Sequence, residues 1–314
     1  MSTGEAAPLL VIVGPTGSGK SELALDLAQA LEGELVNCDS VQIYRGFDIG
    51  SAKTPTAERR NIPHHLLDVA APTETFTAGD YQRLGRAALR DISGRGRLPI
   101  VVGGTGFYLR ALLEGLFSGP GRDEDLRERL QRRAERRPDS LHRLLQRFDP
   151  NAGRAIHPND HQKLIRALEV CLLARQPITT LQQEAETTPL TGYRICQIGL
   201  APARAELRSR LDARTAELFR KGLIEEAAAL HDAGVPWTAK PFESVGYVQA
   251  VRVLQQQMTI DEAIADTQVR TRQYAKRQMT WFRRDSTITW IEGFGSALTV
   301  KKTALAIARN FLQK

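Results

Sequence analysis

Short apolar runs alternate with helix-length amphipathic stretches through the first part of the chain. "LLVIV" (9–13), "ELVNCD" (34–39), "LPIVV" running into Gly103, and later "YRICQIGLA" from Tyr193 read as strands. Leu23, Ala24, Leu27, Ala28 and Leu31 recur at helical spacing, so a helix is predicted to begin near Ser21. Strand and helix patterns in alternation predict a parallel sheet with helices on both faces. Between the third and fourth strands, from about Ser118 to Pro189, the strand pattern disappears. "DEDLRERLQRRAERRPDSLHRLLQRF" reads as two charged helices broken at Pro138, and "HPNDHQKLIRALEVCLLAR" as another, capped by Asn159 or Asp160. The predicted organisation is an α/β core over 1–117 and 190–314 with an all-helical insertion over 118–189. After the fourth strand the pattern is helical almost to the end, and Thr259 with Glu262 forms a capping box.

Composition narrows the class. The chain has 314 residues and 42% hydrophobic content, enough for a full core. No apolar run approaches the ~18 residues of a membrane span. The N-terminus lacks a basic region followed by a cleavable apolar segment. Cys38, Cys171 and Cys196 have neither zinc nor disulfide spacing, which suits reduced thiols in a cytoplasmic protein. The formal net charge is +7. Its location says more: Arg122 to Arg175 holds 13 Lys/Arg against 9 Asp/Glu, and Arg270 to Trp290 holds six against one.

The most specific local signal is "GPTGSGKS" (14–21), set between the first strand and the first helix. Gly14, Gly17 and Gly19 let the backbone fold into a nest of N–H groups at a positive helix end. Lys20 would reach terminal phosphates and Ser21 would set its hydroxyl on Mg²⁺. The fold expected is therefore a P-loop NTPase-like parallel sheet. The loop identifies a di- or triphosphate and not a reaction. Asp39 ends the second strand, on the rim where open α/β sheets bind ligands. It could act as general base, hold Mg²⁺ through water, or form an Asx-turn. The third strand ends in "GGTG" with no acid, so no ordinary Walker-B aspartate occurs there. Thr105 either caps the next helix or touches substrate. Arg214 falls within the apolar stripe of Leu207, Leu211 and Leu218, where an anion or an ion pair would be its partner. Arg270, Tyr274, Arg277, Trp281 and Arg284 share a helical face of cations and aromatics that suits nucleic acid, or else a solvated charged face. Lys163 and Arg166 make a second basic ridge.

Several blocks together resemble the bacterial tRNA dimethylallyltransferases (tRNA isopentenyltransferases) over nearly the whole chain. They are "GPTGSGKS", "NCDSVQIYRGFDIGSAK", "PHHLLD", "VVGGTGFYLRALLEG", "HPNDHQKLIRALEV", "ESVGYVQA" and "TRQYAKRQMTWFRR". The resemblance implies transfer of a dimethylallyl group from dimethylallyl diphosphate to the exocyclic amine of the adenosine 3′ of the tRNA anticodon. It implies a diphosphate cradle of Gly14, Pro15, Thr16, Gly17, Ser18, Gly19, Lys20 and Ser21, with Mg²⁺ on Ser21. Asp39, Thr16 and Arg214 would be catalytic. Contacts to the tRNA anticodon stem-loop would come from Asp39, Ser40, Val41, Gln42 and Thr105 in the core. The insertion would add Arg127, Lys163, Leu164, Ile165, Arg166 and Ala167. Ser244, Gly246, Tyr247, Arg277, Trp281 and Arg284 would complete the set. The implied protein is monomeric and cytoplasmic. Three readings compete: a small-molecule kinase or ATPase, a nucleotide-gated RNA-binding protein without chemistry, and an adenylate isopentenyltransferase.

Overall fold

The structure, a computed structural model, describes residues 6–184 and 187–313. The chain begins β1 (Ala7–Val13), α1 (Lys20–Ala30), β2 (Gly33–Cys38), β3 (His64–His65), α2 (Ala78–Gly94), β4 (Leu98–Gly103) and α3 (Gly106–Leu113). A helical stretch follows: α4 (Glu124–Arg136), α5 (Ser140–Phe148), α6 (Pro150–Ala155), α7 (His161–Ala174) and α8 (Ile178–Glu184). It closes with β5 (Tyr193–Ala201), α9 (Arg204–Arg220), α10 (Leu223–Asp232), α11 (Tyr247–Leu254), α12 (Ile260–Phe282), β6 (Ile288–Glu292) and α13 (Leu298–Leu312).

Six strands form one all-parallel sheet in the order β3-β2-β4-β1-β5-β6. The apolar run of β1 makes it a central strand, buried from Leu9 to Val13. Leu9, Val11 and Val13 join the larger core with Tyr81 and Leu89 of α2, Leu112 of α3 and Phe282 of α12. Leu10 and Ile12 face the other way, against Leu23 and Leu27 of α1 and Ala304 of α13. β4 and β5 flank β1 on opposite sides, so the turn leaving β1 lies at a switch point of the sheet, where ligands settle in such folds.

Two strands escape the hydrophobic pattern. β6 pairs with β5 in a region expected to be helical, with Ile198 opposite Thr289. It has five residues at the sheet edge, burying Ile288 and Ile291 without strict alternation, so no period marks it. The two-residue β3 is too short to leave a pattern.

The described chain divides into two compact units, one of the residues up to Leu113 together with those from Leu190, the other Glu114–Pro189. The second begins at Glu114 rather than Ser118. Gly115, at φ +84, lies so close to the Thr188 backbone that a Cβ would come 2.6 Å from its carbonyl oxygen. The helical unit has its own core around Leu141, Leu145, Leu164 and Leu168. α4 and α5 meet across Pro138, and Asp160 caps α7 by accepting the Lys163 N–H at 3.2 Å.

That core encloses a charge. Glu169 is fully buried and accepts from Arg127 Nε at 2.7 Å, Arg166 at 2.6 Å and the Asp123 N–H at 2.9 Å. Burial by itself would raise this carboxyl, but the hydrogen bonds from Arg127, Asp123 and Arg166 outweigh it and hold it at about 2. A depressed carboxylate contributes stability above its unfolded value that is lost as pH falls toward the folded one. Glu169→Gln should therefore destabilise the full chain at neutral pH by on the order of 2–3 kcal/mol. The gap between variant and wild type should close as pH falls toward about 2. Urea unfolding of both proteins across that range measures it, and a pH-independent gap would contradict the assignment.

Candidate functional site

The β1–α1 turn is built around positions where a side chain cannot fit. Gly17, at φ +76, would place a Cβ 2.6 Å from Leu211 of α9, so α9 packs directly over the loop. The Ser18 carbonyl accepts the Gly295 N–H at 2.8 Å, which seats the segment after β6 against it. Thr16 donates its N–H to Gln278 Oε1 of α12 at 2.7 Å. Gly14, Pro15 and Ser18 are buried, while Ser21 is exposed at the first turn of α1. Lys20 Nζ donates to the Pro15 carbonyl at 2.8 Å, folding back along the loop.

"GGTG" at the end of β4 is shaped by close approach as well. A Cβ on Gly103 would sit 2.0 Å from the Cys38 carbonyl oxygen, on Gly104 2.1 Å from Gln278 Nε2, and on Gly106 2.2 Å from the Trp281 ring. The turn is a seat for α12. Thr105 uses its hydroxyl to accept the Ser40 N–H at 3.1 Å, so it steadies the residue beside Asp39, while its carbonyl accepts the Leu109 N–H at the start of α3.

Two chambers open on this rim. One, of about 280 Å³, is lined by Gly17, Gly19, Lys20, Ser21, Arg210 and Gln278 among others. The second, of about 300 Å³, lies among Val41, Leu211, Leu218, Ser244, Val245 and Gly246. Thr16, Asp39, Ser51, Arg214 and Tyr274 line both, so the chambers meet at the three residues assigned to catalysis.

The junction is electrostatically unfinished. Arg214 makes one hydrogen bond, to Thr16 Oγ1 at 3.3 Å, and no carboxylate stands within ion-pairing distance among the described residues. Burial pulls its guanidinium below the ordinary range, opposed by Asp39. Burial, and then Arg214, pulls the Lys20 amine down to about 8. Two crowded cations without an anionic partner make a hole for a polyanion. Asp39 Oδ1 accepts the Val41 and Gln42 N–H groups at 2.9 and 3.3 Å, so the Asx-turn is real. Oδ2 makes no hydrogen bond among the described residues, and Asp39 lines both chambers.

Not every residue carried over by resemblance has surface to offer. Tyr247 is fully buried; its hydroxyl donates to Glu226 and accepts the Gly50 N–H at 3.1 Å, so it supports the loop that carries Ser51. Leu164 and Ala167 are core residues of the helical unit, with Ile165 packed against that core, because α7 turns its apolar stripe inward. Arg127 and Arg166 are committed to Glu169, which leaves Lys163 as the exposed cation of the expected ridge. Ser244 and Gly246 line the second chamber, beside Val41; Gln42 lines the first. On α12, and at Arg284 just past its end, the expected face divides. Arg277 and Arg284 are exposed and Trp281 is 39% exposed, whereas Tyr274 turns into both chambers and Arg270 pairs with Asp266 at 2.7 Å.

Sequence reasoning missed Gln278 and Arg210 as site residues, and it set Tyr274 on the nucleic-acid face rather than in the chambers. Arg210 stands one turn before Arg214, with its guanidinium 4.7 Å above the Phe294 ring. Spacing by four from Arg214 was the available signal. Among the described residues no three His, Cys, Asp or Glu side chains gather as a metal site. The exposed Ser21 hydroxyl still suits Mg²⁺, which keeps several waters and leans on substrate phosphates. No helix of the described residues is long and apolar enough to cross a membrane.

Known proteins resemble this chain over most of its length. The profile of the IPP transferase family matches residues 42–285. A tRNA dimethylallyltransferase of Solibacter usitatus is 52% identical, over 97% of this chain and 99% of its own. Among solved structures, the tRNA isopentenylpyrophosphate transferase of Bacillus halodurans is 35% identical, covers 98% of both chains and superposes with a TM-score of 0.70. A eukaryotic dimethylallyltransferase captured acting on tRNA is 26% identical, covers 98% of this chain and 80% of its own, and gives 0.80.

The lowered Lys20 amine makes anion binding proton-coupled. A diphosphate beside it raises the amine again, so above about pH 8 binding draws in a proton and weakens as pH rises. Calorimetry of magnesium pyrophosphate binding in buffers of different ionisation enthalpy should show that uptake, and Lys20→Arg should lose it. Equal uptake in both proteins would mean that Lys20 is charged throughout.

Proposed function

The chain belongs to the IPP transferase family, and from that premise we propose that it moves a dimethylallyl group from dimethylallyl diphosphate to tRNA. The acceptor is the exocyclic amine of the adenosine just 3′ of the anticodon, and diphosphate is released. The observation that carries this reading is the junction: a chamber walled by unpaired cations meets a second chamber at Asp39, Thr16 and Arg214. A P-loop kinase or ATPase usually carries a metal-holding acid after this strand; here β4 runs into Gly103 and Gly104.

In the transfer, the allylic carbon–oxygen bond breaks and its electron pair leaves with the diphosphate. The loop N–H groups, Lys20 and Arg214 meet that developing charge in a site partly closed to water. Arg214 donates to the Thr16 hydroxyl, which orients both groups at the junction. Bound Mg²⁺, on the Ser21 hydroxyl, would supply further charge neutralisation. The amine nitrogen forms the new bond to carbon and its proton passes to Asp39 Oδ2, with Oδ1 anchored by the turn. The second chamber takes the adenine after it leaves its stack. Arg277 and Arg284, with Lys163 on the helical unit, grip backbone phosphates in a salt-dependent way. The protein acts as a monomer in the cytoplasm.

Incubation with labelled dimethylallyl diphosphate and unmodified tRNA, with AMP as competing acceptor, tests the reaction. Label should enter tRNA, and dimethylallyl diphosphate with Mg²⁺ should raise the melting temperature more than ATP at equal concentration. ATP turnover with no labelled tRNA would overturn the proposal. Asp39→Asn should lower the single-turnover rate by about 10²–10⁴-fold with donor affinity nearly unchanged. A rate restored by excess Mg²⁺ would instead make Asp39 a metal ligand.

A further inference from the structure

Gln278 is 5% exposed, and both ends of its carboxamide are used across the site. Oε1 accepts the Thr16 N–H of the phosphate loop at 2.7 Å, and Nε2 donates to the Gly104 carbonyl at 2.9 Å. These partners fix which way the amide points, because the reversed group would set oxygen against oxygen. The amide has no room to shift toward β4, where a Cβ on Gly104 would already fall 2.1 Å from Nε2. A phosphate loop offers its N–H groups to a ligand; here the Thr16 donor is taken by the protein itself.

We propose that Gln278 is a positioning residue for the transfer. By holding the Thr16 amide it fixes the first half of the loop and keeps the Thr16 hydroxyl beside Arg214. It thereby sets where the diphosphate lies relative to Asp39. The inference rests on the donor site proposed above. It differs from a packing role in what it demands: loss of the amide should act on the donor and on turnover, not on RNA.

Gln278→Met keeps the volume and removes both hydrogen bonds, while Gln278→Glu keeps an acceptor for Thr16 and loses the donor to Gly104. Steady-state kinetics at saturating tRNA, the Kd of magnesium pyrophosphate, the Kd of tRNA and the melting temperature are measured for each. The expected result for Gln278→Met is about tenfold weaker pyrophosphate binding, with kcat lowered by at least as much. Its tRNA affinity should stay within about twofold of wild type, and Gln278→Glu should fall between the two. Unchanged pyrophosphate affinity and kcat in a folded variant would overturn the proposal. So would equal losses in pyrophosphate and tRNA binding, which would make Gln278 a packing residue only. If Gln278→Met does not fold, the same readings on Gln278→Glu decide. Absence of transfer by the wild-type protein would overturn the proposed reaction, while the pyrophosphate arm would still decide the role of Gln278.

Discussion

Two parallel strands, β1 and β4, deliver their loops to the same rim, and α12 packs at the limit of van der Waals approach on the β4 loop while hydrogen-bonding the β1 loop through Gln278. That contact governs the site. Gly104 and Gly106 have no side chains because the Gln278 amide and the Trp281 ring occupy that space. With α12 seated, its inner face supplies Gln278 to the phosphate loop and Tyr274 to both chambers. α9 covers the same loop through Leu211 at Gly17, which brings Arg214 onto Thr16. The β6 edge, easily dismissed as peripheral, ends in the segment whose Gly295 N–H holds the Ser18 carbonyl.

Charge is handled in opposite ways at two places in the chain. In the helical unit a buried carboxylate is met by two arginines and a backbone N–H, so the group adds to stability at neutral pH. At the junction, Lys20 and Arg214 face each other's field, offset in part by Asp39, and neither makes an ion pair among the described residues. Holding them so costs stability, and that cost is a mark of a site prepared for a ligand. Depressed lysine and arginine pKa values and the absence of an ion pair are two expressions of one arrangement.

Much of this was legible in the sequence, for reasons that can be given residue by residue. The runs ending at Val13, Cys38 and Gly103 are buried on both faces, so they stand out as apolar blocks. Arg214 was visible because a cation inside an apolar stripe breaks a pattern. Gln278 was not, since a neutral amide in a polar helix breaks none, and Arg210 sits in a helix already rich in arginine. Tyr247, Leu164 and Ala167 show the converse. Resemblance made them contacts, whereas their own burial makes them supports, and an apolar residue on a helix stripe carries that second meaning by default. The pairing of Arg127 and Arg166 with Glu169 was equally hidden, because nothing in a charge count tells a committed arginine from a solvated one.

A loop of this kind identifies a di- or triphosphate and not a reaction, so under the proposed function what distinguishes this site from a nucleotide hydrolase lies opposite the loop. There the chain places glycine after β4 where an acid would hold a metal, and it moves the carboxylate to the end of β2. The Asx-turn ties Oδ1 to the Val41 and Gln42 amides, which fixes the carboxylate; under the proposed function that leaves Oδ2 to take the proton. Thr105 reinforces that choice by holding Ser40 from the β4 side. In the proposed transfer, a turn that is commonplace after a strand therefore becomes the element that orients the proton acceptor.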